Sequence, residues 1–347
     1  MGRIIFNNMT IEEMKPFFCE IGEKEFRAEQ LFTFIHKNHV NSLEDITVFS
    51  KDLRDKLNSI GEIDRIRVYR RFDSKIDDTK KYLFLLRDGN IIESVLMKYK
   101  YGYSACISTQ VGCRMGCLFC ASTKEGCIRN LNPSEMAEQI YAIEDDLGIR
   151  IGNIVLMGSG EPLDNYDNVL KFLNIIHHEK GHNLSYRNIT LSTCGLVPKI
   201  YDLADEGIPI TLSISLHSPF DDIRKTIMPI AKVYSIEEII NACRYYFKKT
   251  NRRITMEYTL MKGINDSIRD LEELVRILKG LNCHVNLIPL NPIKEFDSGK
   301  PKDAIIELFV KELKKANISA TVRREMGADI NAACGQLRRR FANRVDN

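Results

Sequence analysis

Cys113-Arg114-Met115-Gly116-Cys117-Leu118-Phe119-Cys120 decides how this chain is read. Three thiols at C-x3-C-x2-C spacing can converge on one face of a metal centre, and Gly116 lets the backbone between them fold tightly. Thiolates are soft ligands that suit zinc or iron-sulfur clusters, and a structural zinc site takes four protein ligands. Here only three are clustered. No His or fourth Cys closes the group, because Cys127 lies seven residues on, past a charged loop. A cubane cluster held by three thiolates keeps one iron open to a small molecule. The competing reading, small buried side chains, suits one Cys better than three so close together.

Outward from this loop the chain is α/β. From residue 101 onward, short apolar runs near 103–109, 153–157, 187–192, 209–216, 253–260 and 284–289 alternate with amphipathic helical segments. That alternation predicts about six β-α units around a parallel sheet, hence a partial (β/α)6 barrel over 101–325. Pro133-Ser134-Glu135 opens a helix carrying Met136, Ile140 and Ile143. Upstream, 65–100 reads as a β-hairpin connection, with Tyr82–Leu86 and Ile91–Met97 flanking Asp88-Gly89-Asn90. Glu93, on its second strand, would alone be an exposed carboxylate. Residues 1–64 form a small N-terminal helical domain that opens on the Thr10-Ile11-Glu12-Glu13 capping box. Residues 326–347 are a C-terminal segment, with Cys334 between small residues and Gly335.

Ligands of parallel α/β sheets collect at the C-terminal ends of strands. Those ends carry Gly158-Ser159-Gly160-Glu161-Pro162, Ser192-Thr193-Cys194, Ser215-Leu216-His217 and Asn291-Pro292. Read alone, each Ser is equally a turn or cap residue, and His217 equally a satisfied core histidine. Cys19, Cys127, Cys194, Cys243 and Cys283 read as small packing side chains. Charged residues make up 28% of the chain at a net charge of +3, so an anionic partner must be met by local patches rather than by overall charge. No signal-peptide core and no run long enough to span a membrane occurs, which places the protein in the cytoplasm without membrane contact. Ten cysteines there are reduced thiols, suited to metal ligation or chemistry.

The cysteine triad resembles the radical S-adenosylmethionine (SAM) superfamily, in which the three Cys hold a [4Fe-4S] cluster and SAM chelates the fourth iron. Over almost the whole chain the sequence is similar to the RlmN/Cfr-like family, specifically its RlmN-type adenine-C2 methyltransferases of 23S rRNA and tRNA. The resemblance rests on ESVLMKY around Glu93, CISTQVGCRMGCLFCAST, RNL at 129–131, GSGEPLDN, LSTCGLVPK, SISLHSP, MPI at 228–230, VNLIPLNP and DINAACGQL. Ser159 replaces the commoner Met or Ile, and Cys194 the commoner Ser. The alternative is the Cfr-type sibling, which methylates C8 of the same rRNA adenosine; Pro162 favours the C2 group.

The resemblance implies Cys113, Cys117 and Cys120 as cluster ligands. Gly160, Glu161, Ser192, Ser215, Leu216, His217 and Asn291 are implied as SAM contacts. It further implies Cys334 as a methyl carrier, two SAM per turnover, and an RNA adduct on Cys334 that Cys106 resolves by forming a disulfide. Glu93 matches the position of the proton acceptor. The radical route suits adenine C2, an electron-poor carbon that cannot attack SAM as a nucleophile. Partners are 23S rRNA, tRNA and an electron donor such as flavodoxin or ferredoxin. Arg65, Arg67, Arg70 and Arg71, and the tail Arg338, Arg339, Arg340 and Arg344, are candidate phosphate contacts or solvated surface. Two competing readings are a glycyl-radical activase, which would not require Cys334, and a zinc-bearing RNA-binding protein.

Overall fold

The structure is a computed structural model that describes residues 3–291, 293–296, 298–338 and 340–341, the last two by backbone alone. The N-terminal unit packs α1 (Ile11–Glu20), α2 (Phe26–His36) and α3 (Lys51–Ile60), and the short parallel pair β1 (Ile4–Ile5) and β2 (Gly61–Glu62) joins its ends. Thr10 and Glu13 form the expected capping box, with Glu13 N–H donating to Thr10 Oγ1 at 3.3 Å and Thr10 N–H to Glu13 Oε2 at 2.9 Å. Met14, Phe18, Leu31, Phe32 and Leu57 make a core separate from the main one, and Ile175 of a later helix completes it. The unit seats on the rest of the chain there and through His36 Nδ1 at 3.2 Å from the Tyr141 hydroxyl and His39 Nδ1 at 2.8 Å from Asp145.

The main sheet begins with β3 (Arg67–Asp73), β4 (Lys80–Leu85), β5 (Asn90–Tyr99) and β6 (Gly102–Cys106), each antiparallel to the one before. The segment expected as a hairpin connection is thus continuous with the barrel sheet. β7 (Gln110–Gly112) and β8 (Cys127–Asn130) pair with each other and bracket the three-cysteine loop. Then α4 (Pro133–Leu147), β9 (Ile151–Leu156), α5 (Tyr166–His177), β10 (Ile189–Thr193), α6 (Val197–Asp205) and β11 (Thr211–Ser215) alternate. α7 (Asp221–Ile227), α8 (Ile236–Thr250), β12 (Ile254–Leu260), α9 (Ile268–Leu278), β13 (Cys283–Pro289), α10 (Asp303–Lys315) and β14 (Ser319–Val322) complete the series. From β6 through β9 to β14 every neighbour is parallel, and the sheet stays open, running from β3 to β14. β15 (Arg340–Phe341) returns antiparallel to β5.

The expected six strands are present, and β14 adds a seventh parallel one. It escapes a periodicity reading because only Ala320 of its four residues is buried. α4 forms where expected: Asn132 and Glu135 make a capping box, Pro133 opens the first turn and Gly148 closes the helix in the left-handed conformation. Strand alternation on β5 matters most for function. Ile92 and Leu96 face the main core, whereas Val95 and Met97 face the opposite side with Cys106, Met326, Ala332 and Leu337. Glu93 shares the parity of Val95 and Met97.

Candidate active site

One cavity opens at the C-terminal ends of β9 to β13. Cys113, Cys117 and Cys120 line one side, Gly158, Gly160 and Glu161 follow β9, Ser192 is the next-to-last residue of β10 and Ser215 the last of β11. His217, Asn291 and Cys334 complete it, around about 920 Å³ of empty space with its open mouth included.

The cysteine loop is shaped as its sequence requires. Gly116 takes φ +72°, a left-handed conformation that favours glycine. Burial pushes the Cys117 thiol up to about 12 and raises Cys113 and Cys120 as well, so deprotonation needs a nearby cation. Three thiolates around a single ion would stand about 3.8 Å apart. No trio of metal-ligating side chains is gathered for one ion among the described residues. Three thiols on one cavity wall fit a cubane that takes one thiolate per iron and leaves one iron open. Cys127 does not join them, its Sγ lying 3.8 Å from the Arg129 carbonyl.

The turn after β9 packs closely on its neighbours. At Gly160, φ +114°, a Cβ would stand 2.7 Å from Gln110 N and from Thr109 Oγ1, so glycine lets this turn pack on the chain leading into β7. Glu161 sends its carboxylate inward: Oε2 accepts the Cys194 N–H at 2.8 Å and Oε1 the Leu163 N–H at 3.1 Å. Its backbone is engaged as well: the N–H donates to Gln110 Oε1 at 2.9 Å and the carbonyl accepts the Asp164 N–H at 3.0 Å.

His217 has φ +54° and lines the cavity. Its Nδ1 accepts the Thr259 N–H at 2.9 Å, which puts the proton on Nε2, and burial depresses its pKa to about 3. It is a neutral donor at physiological pH, not a general base. Leu216, expected as a SAM contact, is not brought to the cavity. Its side chain belongs to the main core, its N–H donates to Glu257 O and its carbonyl accepts Arg224 Nε at 3.0 Å. The Asn291 side-chain amide is engaged with the Cys334 carbonyl at 3.0 Å. Pro292 lies outside the described residues.

The Cys334 loop is fastened from several directions. Ala121 N–H donates to the Gly335 carbonyl at 2.7 Å, and Ser122 Oγ to the Leu337 carbonyl at 2.7 Å. Arg338 N–H donates to Glu93 Oε2 at 3.2 Å, and Asp77 Oδ2 accepts the Gly327 N–H at 3.0 Å. Glu93 is fully buried, with Lys81 Nζ at 3.9 Å from Oε2, so the expectation of an exposed strand carboxylate is corrected by the segment that covers β5. Cys106 ends β6 beneath this loop. Burial and the neighbouring Cys334 thiol push it up to about 12, against the opposing pull of Arg323. All ten cysteines are free, so the disulfide implied between Cys106 and Cys334 is absent from this state. Cys243 and Cys283 pack as expected, whereas Cys19 is exposed and Cys194 lines the cavity.

Three site residues escaped the sequence reading. Glu257, on β12, accepts from Ser213 Oγ and Asn286 Nδ2, both at 2.9 Å, and lies 3.7 Å from Arg323. It sits in the middle of β12, where the strand-end rule does not look, and only its pairing beside Ser215 of β11 brings it to the cavity. Arg323 follows the missed strand β14. Arg224 is fully buried and ties strand ends together, its Nη2 donating to Cys194 O at 2.7 Å and Ser215 O at 3.2 Å.

The arginine patches are partly consumed internally. Arg65 pairs with Glu138 and Asp145, both at 3.0 Å, and Arg71 with Asp73 and Asp146. Arg67 and Arg70 stay exposed. Arg338 is held bidentately by Glu295 at 2.8 and 2.9 Å. Arg339 and Arg344 lie outside the described residues, as does the side chain of Arg340.

An open three-thiol loop at the mouth of a parallel, open β/α sheet defines a radical SAM enzyme. Residues 107–278 match the family model for the radical SAM superfamily, and 6–63 that for the ribosomal RNA large subunit methyltransferase N-terminal domain. The chain is 54% identical over 339 residues to a probable dual-specificity RNA methyltransferase RlmN of Clostridioides difficile strain 630, covering 98% of each. It is also 54% identical over 337 residues to the protein of the same name in Finegoldia magna, covering 97% of each. A crystal structure of a radical SAM methyltransferase from Sphaerobacter thermophilus superimposes with a TM-score of 0.91 at 41% identity, over 96% of this chain and 99% of that one. The chain belongs to the RlmN family of dual-specificity RNA methyltransferases. It is a radical SAM RNA methyltransferase, served by a [4Fe-4S] cluster and SAM. No helix among the described residues is long and apolar enough to cross a membrane.

Proposed function

We propose that the chain methylates C2 of an adenosine in the peptidyl-transferase region of 23S rRNA and of the adenosine next to the anticodon in some tRNAs. A single observation carries this reading: Cys334 lines the same cavity as Cys113, Cys117 and Cys120. A thiol there can receive a methyl from SAM and keep it within reach of radical chemistry.

In this reading Cys113, Cys117 and Cys120 hold the cluster. The β9 turn backbone and the hydroxyls of Ser192 and Ser215 receive SAM. The bound cluster and SAM supply one-electron cleavage of SAM, which activates an otherwise inert methyl group. Cys334 carries that methyl: one of its hydrogens would leave with the 5′-deoxyadenosyl fragment of SAM, its carbon would bond to adenine C2, and the odd electron would return to the cluster. Glu93 accepts the C2 proton; its burial beside the Cys334 segment supports the role. Cys106 then attacks the Cys334 sulfur, the carbon-sulfur bond breaks, and the product carbon takes a proton. The two thiols are left as a transient disulfide that a thiol reductant must reopen. Two SAM are used per turnover, one as methyl donor and one as radical source. The N-terminal helical unit recognises RNA shape, and a small one-electron carrier such as flavodoxin or ferredoxin reduces the cluster.

The test is an anaerobic reaction of reconstituted protein with SAM and protein-free 23S rRNA, followed by nucleoside digestion and mass spectrometry. 2-Methyladenosine that disappears with Cys334→Ala is the expected result. Predominant 8-methyladenosine would overturn the regiochemistry, and product from Cys334→Ala would overturn the carrier.

A further inference from the structure

Cys334 lines two cavities. Besides the one it shares with the cluster cysteines, it borders a second, of about 1290 Å³ of empty space with its open mouth included. Asn291 and Arg323 also border both, so the wall between the cavities is built around the carrier thiol and the amide that fastens it. The two differ in chemistry. The cluster side presents thiols, glycines and serines, with Glu161 and Glu257 as carboxylates. Among the described residues the second presents Lys300, Arg323 and Arg324 against Glu325. Arg323 is drawn 3.7 Å from Glu257, while among the described residues Lys300 makes a solvent-exposed pair with Asp303 at 3.4 Å that a phosphate can displace.

An aromatic plate stands in the wall of the second cavity. Tyr99 lines it, and Tyr101 lies parallel to Tyr99 with ring centroids 5.0 Å apart and planes 6° apart. Tyr101 is 70% exposed, so the pair reaches from the cavity wall to open solvent. Tyr99 has the same parity on β5 as Glu93, Val95 and Met97, which places the ring and the buried carboxylate on one face of one strand.

A single-stranded RNA site needs a cationic rim for phosphates and an aromatic face for an unstacked base. An enzyme that modifies a base must also extrude it from its stack. Both requirements meet here, next to the thiol that holds the transferable carbon. Resting on the carrier reading above, we propose that this second cavity receives the extruded adenine nucleotide, with Tyr99 as its stacking face and Lys300 and Arg324 meeting the flanking phosphates. Cys334 is then loaded from one cavity and delivers into the other.

The test uses the cluster-loaded full chain and two readouts. Methylation of Cys334 by SAM without RNA, followed by intact-protein mass spectrometry, reports the cluster side. KM and kcat for methylation of protein-free 23S rRNA report the RNA side. Tyr99→Ala is expected to keep Cys334 methylation within twofold while kcat/KM for RNA falls tenfold or more, and Tyr99→Phe to restore it within threefold. The double variant Lys300→Ala/Arg324→Ala is expected to raise KM for RNA and flatten its salt dependence, with little change in kcat. Unchanged RNA kinetics in Tyr99→Ala overturns the proposal, as does joint loss of both readouts or failure of Tyr99→Phe to rescue. If wild-type protein methylates Cys334 but yields no RNA product, the RNA target assigned above is at fault.

Discussion

Asn291 donates its side-chain amide to the Cys334 carbonyl at 3.0 Å, fastening the carrier loop to the end of β13 beside its own thiol. Removing one such bond costs about 1 kcal/mol. Asn291→Ala is therefore expected to slow methylation of Cys334 about three- to tenfold, with the cluster absorbance unchanged. Asn291→Asp sets a carboxylate against the carbonyl and slows it further. Single-turnover mass spectrometry of the intact protein measures both; a variant that methylates at the wild-type rate would show that the loop is held without this bond.

Arg224 has no access to solvent, yet three carbonyls depend on it: Leu216 at 3.0 Å, Cys194 at 2.7 Å and Ser215 at 3.2 Å. The planar guanidinium reaches the ends of β10 and β11 together, which an ammonium on a shorter fork cannot do. Arg224→Lys should cost about 2–4 kcal/mol. Urea denaturation should show the loss, and SAM affinity by equilibrium dialysis should fall with it, because both strand ends bear on the cavity. Unaltered urea resistance would contradict the tie.

His36 gives the stability a pH dependence far from the active site. Its ring is buried between Phe32 and Tyr141, with Nδ1 3.2 Å from the Tyr141 hydroxyl. Burial, reinforced by His39, Arg65 and His178, depresses its pKa from 6.5 to about 3. Below pH 6.5 the unfolded chain takes up a proton that the folded chain refuses, so this contribution is lost as pH falls towards about 3. Between pH 7 and pH 5 the loss is about 2 kcal/mol. Thermal melts should drop over that window, and His36→Phe should flatten the drop; an equal drop in the variant would assign it to other groups.

Much of this architecture could be read from local chemistry. The C-x3-C-x2-C loop, the capping box at Thr10, the helix start at Pro133 and the alternation of apolar runs each act within a few residues, so sequence alone exposes them. What stayed hidden depends on distant segments. Glu93 reads as an exposed carboxylate until residues 326–338 are known to cover β5, and Arg65 and Arg71 read as a phosphate patch until α4 supplies Glu138, Asp145 and Asp146. Leu216 sits beside two cavity residues in sequence, but its side chain turns into the core. Arg323 was missed with β14, whose alternation is too weak to mark a strand. The association of Cys106, Cys334 and Glu93 was implied by family resemblance alone, because no local pattern links positions more than two hundred residues apart; the fold supplies the segment that covers Cys106 and Glu93.

Cys106 sets the last expectation. Its thiol is pushed up to about 12, mainly by burial and then by Cys334, while Arg323 pulls the other way. The attacking species in adduct resolution is the thiolate. Well below its pKa the thiolate fraction of a thiol rises about tenfold per pH unit, so resolution should quicken with pH across 7–9 wherever Cys106 attack limits the rate. Cys106→Ala removes the attacking sulfur while leaving methyl loading on Cys334 intact, and RNA should then remain covalently attached to the protein. Anaerobic rapid-quench samples on denaturing gels separate these outcomes. Wild-type adduct should decay faster at pH 9 than at pH 7, and variant adduct should persist at both; decay of the variant adduct at the wild-type rate would assign resolution to another group.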